Sequence, residues 1–254
     1  NKAFSNSFEV LMNKILLTRD LKKVSNTKLN KIKKLINSFQ VIEEKYKNDA
    51  YEAELKIEYN EIRIKNFLRE KNISFVLPQN ITAVFFPLLY IEDQMVNFNE
   101  NFFFKEWKNV EIKNELINFI LPIEDLDDIS RITKMKNRIE DLNIANLVNK
   151  YDINNYVFAL MNYRNEKLNI YLKTNFNNKK ISKNIYYEIK DINNELLLTN
   201  ISKNLKLKIN DLWKEENLIN LFMPLSIEVK FLHTKLKDLD KIRNTFYKIS
   251  IIDN

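Results

Sequence analysis

The 254-residue chain contains no cysteine and no glycine, only four prolines and a single histidine. Without cysteine there can be no disulfide, no thiolate nucleophile and no cysteine-ligated zinc. The compartment stays open, because cysteine-free chains occur on both sides of a membrane. Without glycine, the phosphate-cradling loops and the dinucleotide fingerprint cannot form in their usual shape. The strained Gly-x-Ser-x-Gly nucleophile turn is excluded on the same ground. Backbone positions with positive φ must then fall largely to asparagine, the next most tolerant residue, of which the chain has 39. No apolar run approaches the roughly 18 residues of a membrane helix. The longest, Ala83–Ile91, has the length of a strand. The chain opens on Asn1 rather than Met, as expected of a processed or shortened chain, so an export signal is compatible with it.

What the chain does contain is enough apolar residue, 45%, to build a core, set against 30% charged residues. The net charge of +7 has two readings. It can mark an anionic partner. It can also follow from coding in an AT-rich genome, which supplies Asn, Lys and Ile and puts lysine wherever a solvated residue is needed. The second reading is the expected one.

Periodicity gives the elements. Residues 3–17 place Phe4, Phe8, Leu11, Met12 and Ile15 on one helical face. A basic segment, 19–34, predicts a short second helix. "FQVIEEKYK" and "YEAELKIEY" flank Asn48-Asp49 as a hairpin, and the strict alternation of the second strand predicts a half-buried strand with one wet face. Asn60 is placed to cap a helix that turns Ile64, Phe67 and Leu68 inward. "ITAVFFPLLYI" (81–91) and "LINFILP" (116–122) do not alternate, which predicts central strands covered on both faces, with Pro87 near a strand end or bulge. An aromatic helix is expected between them, and another over 140–151. Strands are expected at 156–163, 167–176 and 181–190, then a long helix over about 194–216 with Leu198, Ile201, Leu205, Ile209 and Leu212 inward. The tail reads strand 226–232, helix 235–246 and strand 247–252. The class is α/β or α+β, with mixed sheets and packed helices.

Several motifs then line up in order: "KAFSNSFEVLMNKIL", "SFQVIEEKYKNDAYEAELKIEYN", "IRIKNFLREKNI", "FILPIEDLDD" and "IANLVNKYDINNYVFAL". In this order they resemble the proteobacterial domain of unknown function 2066 family, although the glycines usual in that family are missing. The middle block is similar to a wider class of envelope domains that includes the amino-terminal domain of the Tol translocation propeller protein and related envelope lipoprotein domains. The resemblance implies a helical and hairpin unit at 1–80, a mixed-sheet domain at 81–222 and the start of a β-α-β unit at 223–254. It also implies export to the periplasm or cell envelope, and work by contact with another envelope protein rather than by catalysis.

The sharpest local feature is the acidic turn after the second apolar strand, Glu124, Asp125, Asp127 and Asp128, with Arg131 following. Convergent carboxylates can hold magnesium or calcium, and an exposed charged turn can meet a partner. Capping is the third reading: Asp127 or Asp128 as the N-cap of "DISRITKMK", with Arg131 paired to the acids. Capping is the expected role, with contact by the loop the functional alternative. His233 stands alone without a local nucleophile or orienting acid, so no catalytic role is assigned to it. Glu43, Glu44, Glu52, Glu54 and Glu58 alternate with lysines on the hairpin, where cross-strand charge pairing is expected. The basic segments 19–34 and 164–190 raise a nucleic-acid reading. The second interleaves Tyr163, Tyr171, Phe176, Tyr186 and Tyr187 with lysines, as a single-strand stacking surface would. Aromatics at strand spacing more often belong to a core. The resulting expectation is a non-enzymatic exported binding module without cofactor or metal. A basic module for nucleic acid or anionic lipid is its rival.

Overall fold

The run Ile81–Ile91 has no polar side, and in the computed structural model it lies at the centre of the main sheet with its middle eight residues buried. The structure describes residues 1–47, 50–113, 115–123, 125–135, 138, 141–219 and 236–246. Two compact units divide the chain at Leu221/Phe222. Both the helical and hairpin stretch and the sheet-forming stretch fall within the first unit.

The first unit opens with helix α1 (Lys2–Ile15), a 3-10 helix (Thr18–Lys23) and α2 (Leu29–Leu35). Strands β1 (Ile36–Lys47) and β2 (Ala50–Tyr59) then form an antiparallel two-stranded ribbon, and α3 (Glu61–Glu70) follows. Asn60 caps α3 as expected, accepting from the Arg63 N–H at 3.0 Å. These helices close on a small core of Phe8, Met12, Ile15, Leu35, Ile64, Phe67 and Leu68.

The main sheet contains β3 (Ile81–Ile91), β4 (Gln94–Met95), β5 (Ile117–Ile120), β6 (Tyr156–Arg164), β7 (Lys167–Phe176) and β8 (Lys179–Glu188). β3 runs parallel to β6 along one side, and shares its other side between β5 at the start and β4 at the end. β6, β7 and β8 continue as an antiparallel meander. Odd positions of β3 and β6 (Ala83, Phe85, Leu89, Val157, Ala159) face helix α4 (Phe102–Lys105) and the long α7 (Glu195–Glu216). Even positions (Val84, Phe86, Leu88, Phe158, Leu160) face Ile132 of α5 (Leu126–Lys134) and Leu147 and Val148 of α6 (Ala145–Val148). Two covered faces explain why neither strand alternates.

Three expectations need correction, the first being that 116–122 is a central strand covered on both faces: β5 pairs with β3 alone and has Asn118 exposed. Pro87 is mid-strand, paired with Ala159 of β6. β5 ends its pairing at Val84 and β4 begins at Tyr90, so the far side of Pro87 has no strand partner and needs no donor. Its carbonyl accepts instead from the buried Asn101 side chain at 2.8 Å. The helix expected over 140–151 is shorter, α6 followed by a 3-10 turn (Asn149–Tyr151). β2 is half-buried as its alternation predicts, with Leu55, Ile57 and Tyr59 partly covered and Glu54, Lys56 and Glu58 exposed, whereas Phe39, Val41 and Tyr46 of β1 are 57%, 45% and 73% exposed. α1 reaches only the ribbon's root, through the Phe4–Phe39 ring contact at 5.4 Å and the Tyr59–Ser7 hydrogen bond at 3.1 Å.

Positive φ falls to Asn72, Asn165, Asn177 and Asn178, but also to Glu92, Asp93, Asp152 and Glu166. Six of these form three two-residue hairpin turns, Glu92-Asp93, Asn165-Glu166 and Asn177-Asn178. Positive φ at both central residues is the type I′ geometry that matches strand twist, here built without glycine.

In the second unit, α8 (Leu236–Phe246) is the described element, with Leu239 exposed. The strands expected at 226–232 and 247–252, and His233, lie outside the described residues.

Candidate functional site

The acidic turn is built as a cap and a clamp. Asp125 is the N-cap of α5, and its Oδ1 accepts from the Asp127 N–H at 2.9 Å. The capping residue is therefore Asp125, two or three positions earlier than expected. Asp127 and Asp128 occupy the first helical turn, where a negative charge faces the free N–H groups. Lys150, from the 3-10 turn that feeds β6, donates to Asp125 Oδ2 at 3.0 Å and to the buried Asp128 Oδ2 at 2.6 Å. Among the described residues the cation meeting these acids is Lys150, not Arg131, which is exposed. Next to it, Tyr151 Oη accepts from the Ile123 N–H at 2.9 Å.

The electrostatics follow this geometry. The Lys150 hydrogen bond, reinforced by the Asp127 N–H, holds the Asp125 carboxyl below the ordinary aspartate value. Burial pulls Lys150 down, but its hydrogen bonds to Asp128 and Asp125 outweigh this and hold it above the ordinary lysine value. Among the described residues no three histidine, aspartate or glutamate side chains are grouped to hold a metal. Glu124 lies outside the described residues.

Two of the hairpin acids pair along their own strands, Glu43 with Lys45 at 2.8 Å and Glu58 with Lys56 at 3.4 Å, and Glu58 also accepts across the ribbon from the Ser38 hydroxyl at 2.9 Å. The register sets Glu43 opposite Glu54 and Lys56 opposite Gln40, and it sets Lys45 opposite Glu52. Between Val41 and Glu43 the ladder skips Ile42, and this bulge reverses the side on which later β1 residues lie. Phe39, Val41, Glu44 and Tyr46 therefore share one face with Ala53, Leu55 and Ile57 of β2. A sequence without the bulge would have turned Tyr46 to the opposite face. The alternation of β2 signalled an apolar side, which is half-buried at Leu55 and Ile57; nothing in it signalled that Val41 and Tyr46 of β1 stay exposed beside it.

The basic segment 164–190 comprises β7, an interior strand paired with β6 and β8, and β8, the edge strand. Phe176 is buried, Tyr163, Tyr171 and Tyr187 are half-buried, and Tyr186 is 69% exposed. Lys179 and Lys183 pair with Glu216 and Glu215 of α7 at 3.4 and 3.5 Å. Lysine along a terminal strand discourages pairing with a foreign strand. Segment 19–34 contributes instead to a cleft of about 460 Å³ between α2 and α3, where Lys31, Lys34 and Arg63 stand around Leu35, Phe67 and Glu70. Lys31 pairs with Glu70 at 3.3 Å, and an Arg63 Nη donates to the Lys34 carbonyl at 3.0 Å.

One further group was invisible in the sequence. Ser202, Lys206, Asn210 and Lys214 recur every fourth residue along α7, as a wet stripe would, yet all four are buried. Lys206 pairs with Glu115, 3.0 Å from Oε1 and hydrogen-bonded to Oε2 at 3.3 Å, and lies 5.1 Å over the Trp107 ring. Lys214 donates to the carbonyls of Asn13 and Leu16 at 2.7 Å each. These are structural cations that fasten loop and helix to α7.

Compared with protein-family models, curated proteins and solved structures, the chain matches none. No helix among the described residues is long and apolar enough to cross a membrane.

Proposed function

We propose that this chain is a non-enzymatic binding module of the cell envelope that engages another protein through the β1–β2 ribbon. The observation that carries the reading is the apolar face of the ribbon, with Phe39, Val41 and Tyr46 standing in solvent. A two-stranded ribbon is marginal by itself in water, and contiguous exposed apolar surface marks a contact site more often than an accident. The acidic turn joins this reading only as an outer surface, through the exposed Asp127 and Arg131, because Asp125 and Asp128 are engaged by Lys150. Export and the envelope rest on the resemblance of the ordered motifs.

The test is site-specific photocrosslinking in the native cells, with a benzophenone side chain at position 39 or 46 and a control at the exposed Ile62 of α3. Discrete adducts from 39 and 46, absent from 62, are expected. Adducts from neither ribbon position would sink the reading.

The cationic cleft of Lys31, Lys34 and Arg63 favours a second reading, an anionic polymer or lipid surface as partner. Titration with a mixed-sequence oligonucleotide separates the two. Purely electrostatic attraction gives roughly 10⁻⁴–10⁻⁶ M binding that fades with salt, whereas sub-micromolar binding at physiological salt would favour the nucleic-acid reading.

A further inference from the structure

We infer that the partner of the ribbon is a second copy of this chain, packed ribbon against ribbon in an antiparallel, two-fold arrangement. The inference deepens the binding-module reading and rests on it. It stands on how charge is segregated within the first eighty residues. Residues 1–35 hold nine lysines and arginines against two acids, and residues 60–80 hold four against two. The ribbon between them, residues 36–59, reverses the balance, with six acids against three lysines. Within it the root is neutral, while residues 42–54 hold five acids against two lysines. Glu43, Glu44 and Glu54 are exposed there.

The basic cleft sits at the other end of the same element. α2 ends at Leu35 where β1 begins, and Arg63 lies in the first turn of α3 just after β2. Ribbon root and cationic cleft are therefore neighbours, and the acidic half lies beyond reach of its own cleft. β1 has 12 residues, and at ~3.3 Å per residue such a ribbon extends roughly 40 Å. Antiparallel packing of two ribbons brings each acidic outer half to the partner's root, where Lys31, Lys34 and Arg63 meet it. The same arrangement covers Val41 and Tyr46 of each copy with the other's apolar face. Parallel packing would set like charges side by side. A two-fold axis also makes the contact self-complementary and closed.

Area sets the expected strength. The exposed face from Phe39 to Tyr46, apolar but for Glu44, is about 25 Å long and 10 Å wide, roughly 250 Å², against the ~800 Å² per partner of a standard interface. The contact of acidic half with basic root must supply much of the rest. The association is then reversible, with a dissociation constant in the micromolar range.

Sedimentation of the whole chain over roughly 1–100 µM reads this directly. The expected result is a concentration-dependent passage from monomer to dimer. Val41→Ser with Tyr46→Ser, both at exposed positions, should leave a monomer that still melts cooperatively. Lys34→Glu should weaken association about tenfold, and adding Glu54→Lys to the same chain should restore it to within about threefold. A monomer throughout the range overturns the inference, as does a dimer indifferent to these substitutions or an open-ended polymer. A monomeric chain whose position 46 crosslinks to a different protein overturns self-association and leaves the binding-module reading standing. Loss of crosslinks from both ribbon positions removes both.

Discussion

Lys214, in the last turn of α7, donates to the Leu16 carbonyl at 2.7 Å across 198 residues of sequence. Its second bond, to the Asn13 carbonyl, makes it a cationic cap on the C-terminal end of α1. Burial lowers its pKa, with nearby Asp211 opposing. The ammonium therefore carries a cost at neutral pH that lifts as pH rises from the depressed folded value toward the ordinary 10.5. Over that window stability should rise with pH. Lys214→Met leaves two carbonyls without their donor, a loss of about 1–3 kcal/mol for each group that stays dry. Thermal melts of both proteins should show the variant less stable at pH 7, with the gap wider at alkaline pH.

The second buried lysine makes an asymmetric prediction. Lys206 has 4% of its side chain exposed, while its partner Glu115 keeps 27%. Glu115→Ala strands a buried ammonium and should cost about 3–5 kcal/mol. Lys206→Met removes the charge, keeps packing against Trp107 and Phe119, and leaves Glu115 on a side chain that is 27% exposed, able to turn its carboxylate toward water. It should be close to neutral. Denaturant titration of the two variants checks the order, and equal losses would contradict the assignment of the desolvation cost to Lys206.

How much was legible follows from where the physics is local. The uniform apolar run of β3 announced a strand covered on both faces, and Asn60 announced a helix start, because burial and capping leave marks within a few residues. The α7 stripe did not, since Ser202, Lys206, Asn210 and Lys214 have the spacing of a solvated face and only tertiary packing shows that α1 and the loop carrying Glu115 cover it. Pro87 was misplaced for the same reason: the gap between β5 and β4 is a property of the assembled sheet. In the acidic turn, capping was readable, but the capping residue and the Lys150 clamp were not. The clamp joins positions 22 and 25 residues apart.

The glycine-free turns offer a stabilising change. Glu166 sits at φ 59° in the second position of the turn between β6 and β7, after Asn165. A left-handed conformation costs a residue with a Cβ roughly 1–2 kcal/mol, partly offset by glycine's greater freedom when unfolded. Glu166→Gly creates the favoured Asn-Gly pairing and should gain about 0.5–1 kcal/mol. For a chain of this size that is a rise of roughly 1–4 °C in Tm. Asn178→Gly, at the equivalent place in the next turn, should gain less, because asparagine already tolerates φ 67°.

The acidic turn supplies the last prediction. Asp125 has two tasks, a cap on the Asp127 N–H and a charge beside Lys150. Asparagine keeps the cap and loses the charge; alanine loses both. Tm at neutral pH should therefore fall in the order wild type, Asp125→Asn, Asp125→Ala. The pH signs follow from the two partners. The Asp125 carboxyl is held below its ordinary 3.8, so its contribution is intact above that value and lost as pH falls through the depressed folded value. Lys150 is held above its ordinary 10.5, so its contribution persists below that value and is lost as pH rises past the folded one. Between these limits the clamp should be insensitive to pH, and Asp125→Asn should remove the Asp125 part of the acid limb. Magnesium, calcium or manganese should leave the wild-type melt where it is, because Lys150 already occupies the oxygens of Asp125 and Asp128 that a cation would need. A rise in Tm with one of these metals that disappears in Asp125→Ala would replace the clamp with a metal site.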